Sequence, residues 1–226
     1  MEKFLFLNFK TYSQSSGKNA LKLAKIAQSV SGSANARIVL VVGAVDARLV
    51  SESVSLDVFG QHADPFVPGA HTGFVLPFAL KGAGCKGVVL NHAENKRSDD
   101  FLRGELSISK DAGLNELFCA ESLKRADSLA SFGPAFIAVE PPELIGGNVS
   151  VSTANPELIG GAVKKINAVD KKIKVIAGAG IKTAQDVQSA VHYGAQGVFV
   201  ASGVVLVSDQ NKVLKEVLVG FECLVL

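Results

Sequence analysis

Short runs of consecutive apolar residues recur along the chain, and between them the apolar positions return at the three-and-four spacing of a helix face. The first run, Phe4 to Phe9, precedes a segment in which Ala20, Leu21, Leu23, Ala24, Ala27 and Val30 share one face. Ile38 to Val42 leads to a helix expected near Asp46 to Ser53, and Val58-Phe59 to one near Leu76 to Gly82. Val88 to Leu90 precedes a helix from about Asp99 to Ala112 with Ser98 as its cap, and Leu117 to Ala120 a helix from about Ser122 to Ser131. Ala135 to Val139 is followed by a helix near Pro156 to Asn167, Ile173 to Ala177 by Ala184 to Tyr193, and Gly197 to Ala201 by Gln210 to Val219.

That pattern predicts eight β-α units. Their strands are continuously apolar rather than alternating, which is expected of parallel strands buried on both faces. The predicted architecture is therefore α/β, a (β/α)8 barrel in which residues 1–226 form a single domain. No Ser/Gly/Pro-rich linker or charge block divides the chain. The competing layout is an open doubly wound sheet. No G-x-G-x-x-G follows the first strand, where a dinucleotide-binding domain of that kind would carry it.

A barrel of this type builds its site at the C-terminal ends of the strands, so the residues at those ends carry the chemistry. Strand one ends Asn8-Phe9-Lys10, strand four Asn91-His92-Ala93-Glu94, and strand six at Glu140. Strands seven and eight end in small-residue turns, Gly178-Ala179-Gly180-Ile181 and Ala201-Ser202-Gly203, whose backbone N–H groups can form an anion nest. Lys10, His92 and Glu140 would supply a cation, a neutral donor and a base, a set suited to proton abstraction beside a carbonyl. After Glu140, two prolines stiffen the chain, Leu144 and Ile145 form an apolar body, and Gly146-Gly147 restore freedom, which reads as a tethered lid. His62, Asp64 and His71 lack a close third ligand, so no metal site is expected, and His192, late on a helix, reads as structural.

Composition narrows the picture. With 48% hydrophobic and 19% charged residues in 226, a large core is possible and disorder is not expected. The net charge of +2 comes with scattered lysines, which leaves no electrostatic footprint for nucleic acid and favours a small anionic metabolite. Cys85, Cys119 and Cys223 are odd in number and far apart, as expected of free thiols in a reducing compartment. The apolar part of Met1 to Asn8 is too short for a signal peptide, and no run approaches the roughly 18 apolar residues of a membrane span. A cytoplasmic protein without membrane partners is expected.

With these residues in place, the chain resembles the triosephosphate isomerase family, in its shorter archaeal type, over nearly its whole length. The motifs are Asn8-Phe9-Lys10-Thr11-Tyr12, Gly60-Gln61-His62-Ala63-Asp64, Gly69-Ala70-His71-Thr72-Gly73, Asn91-His92-Ala93-Glu94, Val139 to Gly146, and the two glycine turns. The resemblance implies Glu140 as the base moving a proton between C1 and C2 of a triose phosphate, His92 as the electrophile and Lys10 as the oxyanion-stabilising cation. That family is a known case of a glutamate base, a neutral histidine and a closing loop. It also implies that Asn8 orients the lysine, that Asn8, Phe9 and Lys10 line the substrate, and that backbone groups near Ile145, Gly180, Ala201 and Ser202 hold its phosphate. No cofactor is implied. The loop from Gly69 to Gly73, with Thr72, is expected to reach a neighbouring subunit of a dimer or tetramer, and the apolar tail from Val217 to Leu226 to pack under the barrel or join an interface. Two positions depart from the family pattern: Ala93 stands where serine is usual, and Gly146-Gly147-Asn148 where Gly-Thr-Gly is usual. Two other readings stay open at the level of sequence, another phosphate-binding barrel enzyme of the indole- or thiamine-phosphate kind, and a catalytically silent homologue.

Overall fold

The structure, a computed structural model, describes residues 2–33, 35–141, 144, 150–151 and 156–222. Eight strands pair in parallel, each with the next, and the last returns to the first to close a barrel. They are β1 (Phe4–Asn8), β2 (Arg37–Val42), β3 (Asp57–Gly60), β4 (Gly87–Leu90), β5 (Asn115–Ala120), β6 (Phe136–Val139), β7 (Lys174–Ala177) and β8 (Gly197–Val200). Closure is carried by the register of β1 on β8, with Leu5 opposite Val198 and Leu7 opposite Val200. The expected barrel is the observed one.

Strand side chains alternate between two faces, and here both faces are buried. Phe6, Val41, Phe59, Val89, Leu117, Phe136 and Phe199 fill the barrel interior. Their neighbours Leu5, Leu7, Leu40, Val88, Phe118 and Ile137 point outward into a second core beneath the helices. This is why the runs read as continuously apolar. Inside, Phe6 meets Phe59 and Phe136 edge to face at 5.5 and 5.1 Å, a favourable arrangement for aromatic pairs.

The surrounding helices are α1 (Lys18–Val30), α2 (Ala44–Ser53), α3 (Pro77–Gly82), α4 (Asp99–Asp111), α5 (Leu123–Ala130), α6 (Pro156–Val169), α7 (Ala184–His192) and α9 (Gln210–Val219), with a single turn, α8 (Ser202–Val205), directly after β8. Ser98 caps α4 by accepting from the Phe101 N–H at 3.3 Å, as its position predicts. Thr183 and Asp186 form a capping box on α7. The same Asp186 carboxylate accepts from the Ser150 hydroxyl at 2.5 Å and the Lys182 N–H at 3.0 Å. Burial pushes that carboxyl upward, but the bonds from Ser150, Lys182 and Thr183 outweigh it and leave it below the ordinary range. It ties down the loop that follows β7.

Three boundaries differ from the sequence pattern. β5 begins at Asn115, ahead of the apolar run, because Glu116 lies buried within the strand on its outward face. α2 begins at Ala44, and its Asp46 bonds the Gly17 N–H across the barrel rim at 3.0 and 3.2 Å. The turn α8 was not anticipated, and it sets the backbone direction of Ser202 and Gly203.

Candidate active site

Glu140 leaves the end of β6, its N–H held by the Ala120 carbonyl at 2.8 Å, and turns its side chain into the barrel mouth, where 6% of the residue remains exposed. Room for it exists because the residue that follows β7 is a glycine. A Cβ on Gly178 would lie 2.7 Å from both Cδ and Oε1 of Glu140, and closer still to Cγ. Burial raises the carboxyl above its ordinary value. His92, a hydrogen bond from the Cys119 thiol and Lys10 pull it back, while Glu94 pushes it further up. Oε2 has no hydrogen-bond partner among the described residues, and the Nε2 of His92 stands 3.8 Å from it. A desolvated carboxylate with an unused lone pair is a base directed at the cleft.

His92 is placed by a turn that β4 makes on leaving the barrel. Asn91 takes a left-handed backbone (φ 58°), a conformation asparagine tolerates better than most residues, and its amide clamps the turn. Asn91 Nδ2 donates to the Cys119 carbonyl at 3.0 Å, and its Oδ1 accepts from the Arg97 N–H at 3.1 Å. The turn brings the Glu94 N–H to within 3.2 Å of His92 Nδ1. Nδ1 therefore accepts, the ring proton sits on Nε2, and that N–H faces the cleft and Glu140.

Lys10 is the first residue beyond Phe9 at the end of β1, and it too has a left-handed backbone, φ 49°, costly for a lysine and maintained by its surroundings. Asn8 Oδ1 accepts the Lys10 N–H at 3.0 Å, while the Gln61 amide donates to the Lys10 carbonyl at 2.8 Å and to Asn8 Oδ1 at 3.3 Å. The ammonium is 2.6 Å from Glu94 Oε1. Across the cleft, Ala179 and Gly180 both have positive φ, 68° and 72°, and Ala201 departs from strand geometry before the turn of α8. Together Asn8, Lys10, His92 and Glu140 face Gly180, Ile181, Ser202 and Gly203 across one cleft. A base, a donor and a cation line one part of the cleft, and the two small-residue turns line the other.

The chain matches the profile of the family described as triosephosphate isomerase over residues 3–217. It is 38% identical to the triosephosphate isomerase of Methanocaldococcus jannaschii over 95% of its own length and 98% of the relative's. It is 40% identical to that of Methanothermus fervidus, covering 95% and 96%, and 37% identical to that of Archaeoglobus fulgidus, covering 96% of each. The chain belongs to the triosephosphate isomerase family.

Within this triosephosphate isomerase barrel, most residues singled out from the motifs meet in the one cleft. Phe9 does not bring its ring there: the side chain is fully buried in the outer core, between β1 and the helices. Ile145 and the lid residues Gly146, Gly147 and Asn148 lie outside the described residues, as do Cys223 and the tail end at 223–226. His62 pairs with Asp64 at 3.0 Å, and the same carboxylate accepts the Val75 N–H at 2.8 Å, which fastens the loop after β3. His71 stacks on Phe66 at 4.4 Å, and among the described residues no group of three His, Cys, Asp or Glu side chains could hold a metal.

Other contributors were not legible as such. Glu94 stands in the sequence only as the last residue of the strand-four motif, yet its carboxylate holds Lys10 and its N–H sets the His92 tautomer. Cys119, which the sequence presents only as a free thiol, is an interior residue of β5 that donates to Glu140, and burial with the facing carboxylate holds it protonated. Its position on β5, directly beside β6, was the available signal. Lys182 borders the same cleft.

Proposed function

We propose that this chain interconverts dihydroxyacetone phosphate and D-glyceraldehyde 3-phosphate by proton transfer through an enediolate. The observation that carries the reading is the buried Glu140 carboxylate, with Oε2 unpartnered among the described residues and His92 Nε2 beside it, in a cleft that the turns at Gly180 and Ser202 also line. Glu140 removes the C1 proton of the ketose. The Nε2–H of His92 and the Lys10 ammonium stabilise the oxyanion that forms; His92 Nε2 gives its proton to the C2 oxygen and takes one back from the C1 hydroxyl, and the protonated Glu140 returns its proton to C2, which leaves the aldehyde at C1. Proton count is conserved and no cofactor takes part. Lys10 keeps its place through Asn8, Gln61 and Glu94. Backbone groups of Gly180, Ala201 and Ser202 receive the phosphate, Ile145 and the lid close over it, and Phe9 contributes only backbone at the rim. Another phosphate-binding barrel enzyme would keep the nest but have no need of a desolvated carboxylate beside an imidazole donor. A coupled assay on glyceraldehyde 3-phosphate tests the reading, with Glu140→Gln as its control. Turnover is expected for the parent and a fall of roughly 10²- to 10⁴-fold for the variant, as for loss of a general base. A parent without turnover, or a variant near normal, refutes it.

The reading places the protein in glycolysis and gluconeogenesis, in the cytoplasm. Among the described residues, no helix is long and apolar enough to cross a membrane. It also takes the chain as one barrel domain that works as a homo-oligomer. The loop after β3 is packed on itself, Phe66 against His71 at 4.4 Å and Phe74 at 4.9 Å, and so presents a formed surface. Val67 and Phe74 on that loop and Val45 on α2 remain exposed, Val45 to 93%. An exposed apolar set of this kind is suited to a second copy. Sedimentation showing a fully active monomer at micromolar concentration refutes the assembly.

A further inference from the structure

We propose that the N-terminal mouth of the barrel, at the end opposite the cleft, is a separate anion site that takes a small polyvalent phosphate of the size of inorganic diphosphate. A cavity of about 330 Å³ opens there, lined by residues at or just before the starts of β1 to β7. By volume it holds roughly ten water-sized groups, more than a single phosphate fills. Phe4, Phe59 and Phe136 line it and belong to the packed barrel interior, so that core lies between this cavity and the cleft at the strand ends.

Charge gives the reason an anion is wanted at this mouth. Four cations line it, Arg37, Lys81, Lys86 and Lys174, against two carboxylates, Glu2 and Asp57. Arg37 takes both carboxylates, with Nη2 2.5 Å from Asp57 and Nη1 3.3 Å from Glu2. The three lysines have no ion pair among the described residues, and the cavity is left with two uncompensated positive charges. Two of the ammoniums are fixed at the mouth by their contacts. Lys174, half-buried at the start of β7, holds its ammonium over the rings of Phe4 and Phe136 at 5.6 and 5.0 Å. Lys81 donates to the Gly113 carbonyl on the cavity wall at 2.5 Å. Like charges gathered in a concavity with apolar walls repel one another and focus the field there, and a polyvalent anion relieves that repulsion more than a monovalent one does. The ligand meets strand starts and not strand ends, so its binding is independent of the cleft and of the isomerase reading.

The test titrates inorganic diphosphate into the full chain by calorimetry at low and at physiological salt, with and without excess glycerol 3-phosphate to occupy the cleft. Diphosphate is expected to bind with the cleft occupied, and more weakly as salt rises. The double variant Lys86→Gln/Lys174→Gln is expected to raise its Kd roughly 10- to 100-fold, and Lys86→Gln alone about 3- to 10-fold, with the circular dichroism of both unchanged from the parent. Lys22→Gln/Lys215→Gln removes the same charge from the exposed faces of α1 and α9 and is expected to leave Kd within about twofold of the parent. Three results overturn the proposal. One is loss of diphosphate binding once glycerol 3-phosphate is present, which would assign the anion to the cleft. Another is an equal loss in the two double variants, which would make it an effect of net charge. The third is an unchanged Kd in both Lys86→Gln and Lys86→Gln/Lys174→Gln.

Discussion

Gly178→Ala tests whether the position of Glu140 is set by the missing side chain at the end of β7. The added methyl would stand 2.7 Å from Cδ and Oε1 of Glu140, whereas unstrained contacts lie near about 3.5–4.0 Å. The carboxylate must therefore retreat by roughly 1 Å. It has little room, since the residue is buried and bonded to the Cys119 thiol, and retreat alters the 3.8 Å separation from His92 Nε2. Misplacement of a reacting group by about 1 Å costs on the order of 10² in rate, so kcat is expected to fall about 100-fold. Overpacking costs stability as well, about 1–3 kcal/mol, within what a barrel of this size tolerates. The assay is steady-state turnover with glyceraldehyde 3-phosphate, alongside thermal melting and inorganic phosphate titration. Phosphate affinity is expected to persist, because the backbone groups proposed to hold it, at Gly180, Ala201 and Ser202, lie beyond residue 178. A folded variant whose kcat lies within threefold of the parent would show that Glu140 is not seated as described, and the geometric argument for its role would fail.

His92→Gln removes the Nε2–H that faces the reacting oxygen, and its kcat is expected to fall by a larger factor than its KM changes; the reverse split, read by steady-state kinetics, refutes an oxyanion role. Cys119→Ala removes a donor that lowers the Glu140 carboxyl, so the carboxyl rises and the acid limb of kcat/KM moves to higher pH, which a pH-rate profile reads directly; an unmoved or lowered limb refutes it. Glu105, fully buried on α4, has a carboxyl pushed from 4.5 to about 9 by burial first and Asp64 second, with Glu116 adding and Arg97 and a backbone bond at Ala63 partly offsetting. Between those values the folded chain keeps a proton that the unfolded chain releases, so its contribution to stability falls as pH rises, on the order of 1 kcal/mol per pH unit. Glu105→Gln removes that slope: the melting temperature of the variant relative to the parent is expected to climb from pH 5 to pH 9, and a constant difference refutes the assignment.

The alternation of apolar runs and helical faces decided the β-α order of this protein, because burial on both faces of a parallel strand leaves a local mark on every residue of the run. Strand ends were equally legible, so Lys10, His92 and Glu140 could be assigned to one rim together with the glycine turns after β7 and β8. Conformational demands were partly visible too, in the prolines after Glu140 and the glycines that follow them. What the sequence could not specify is which side chains meet across the barrel. Lys10 and Glu94 are 84 positions apart and touch only because closure brings β1 and β4 to one mouth. Cys119 reads as core in the sequence and becomes a donor to the base because β5 lies in register beside β6. Gly178 looked like part of an anion turn, and only the packed structure reveals it as the space that Glu140 occupies. Glu105 and Glu116 are charged letters in the sequence; the fold buries them under the helices and changes their protonation. Periodicity and turn chemistry act over a few residues and are written in order along the chain, whereas desolvation, steric clearance and ion pairing depend on distances that exist only once the barrel has closed.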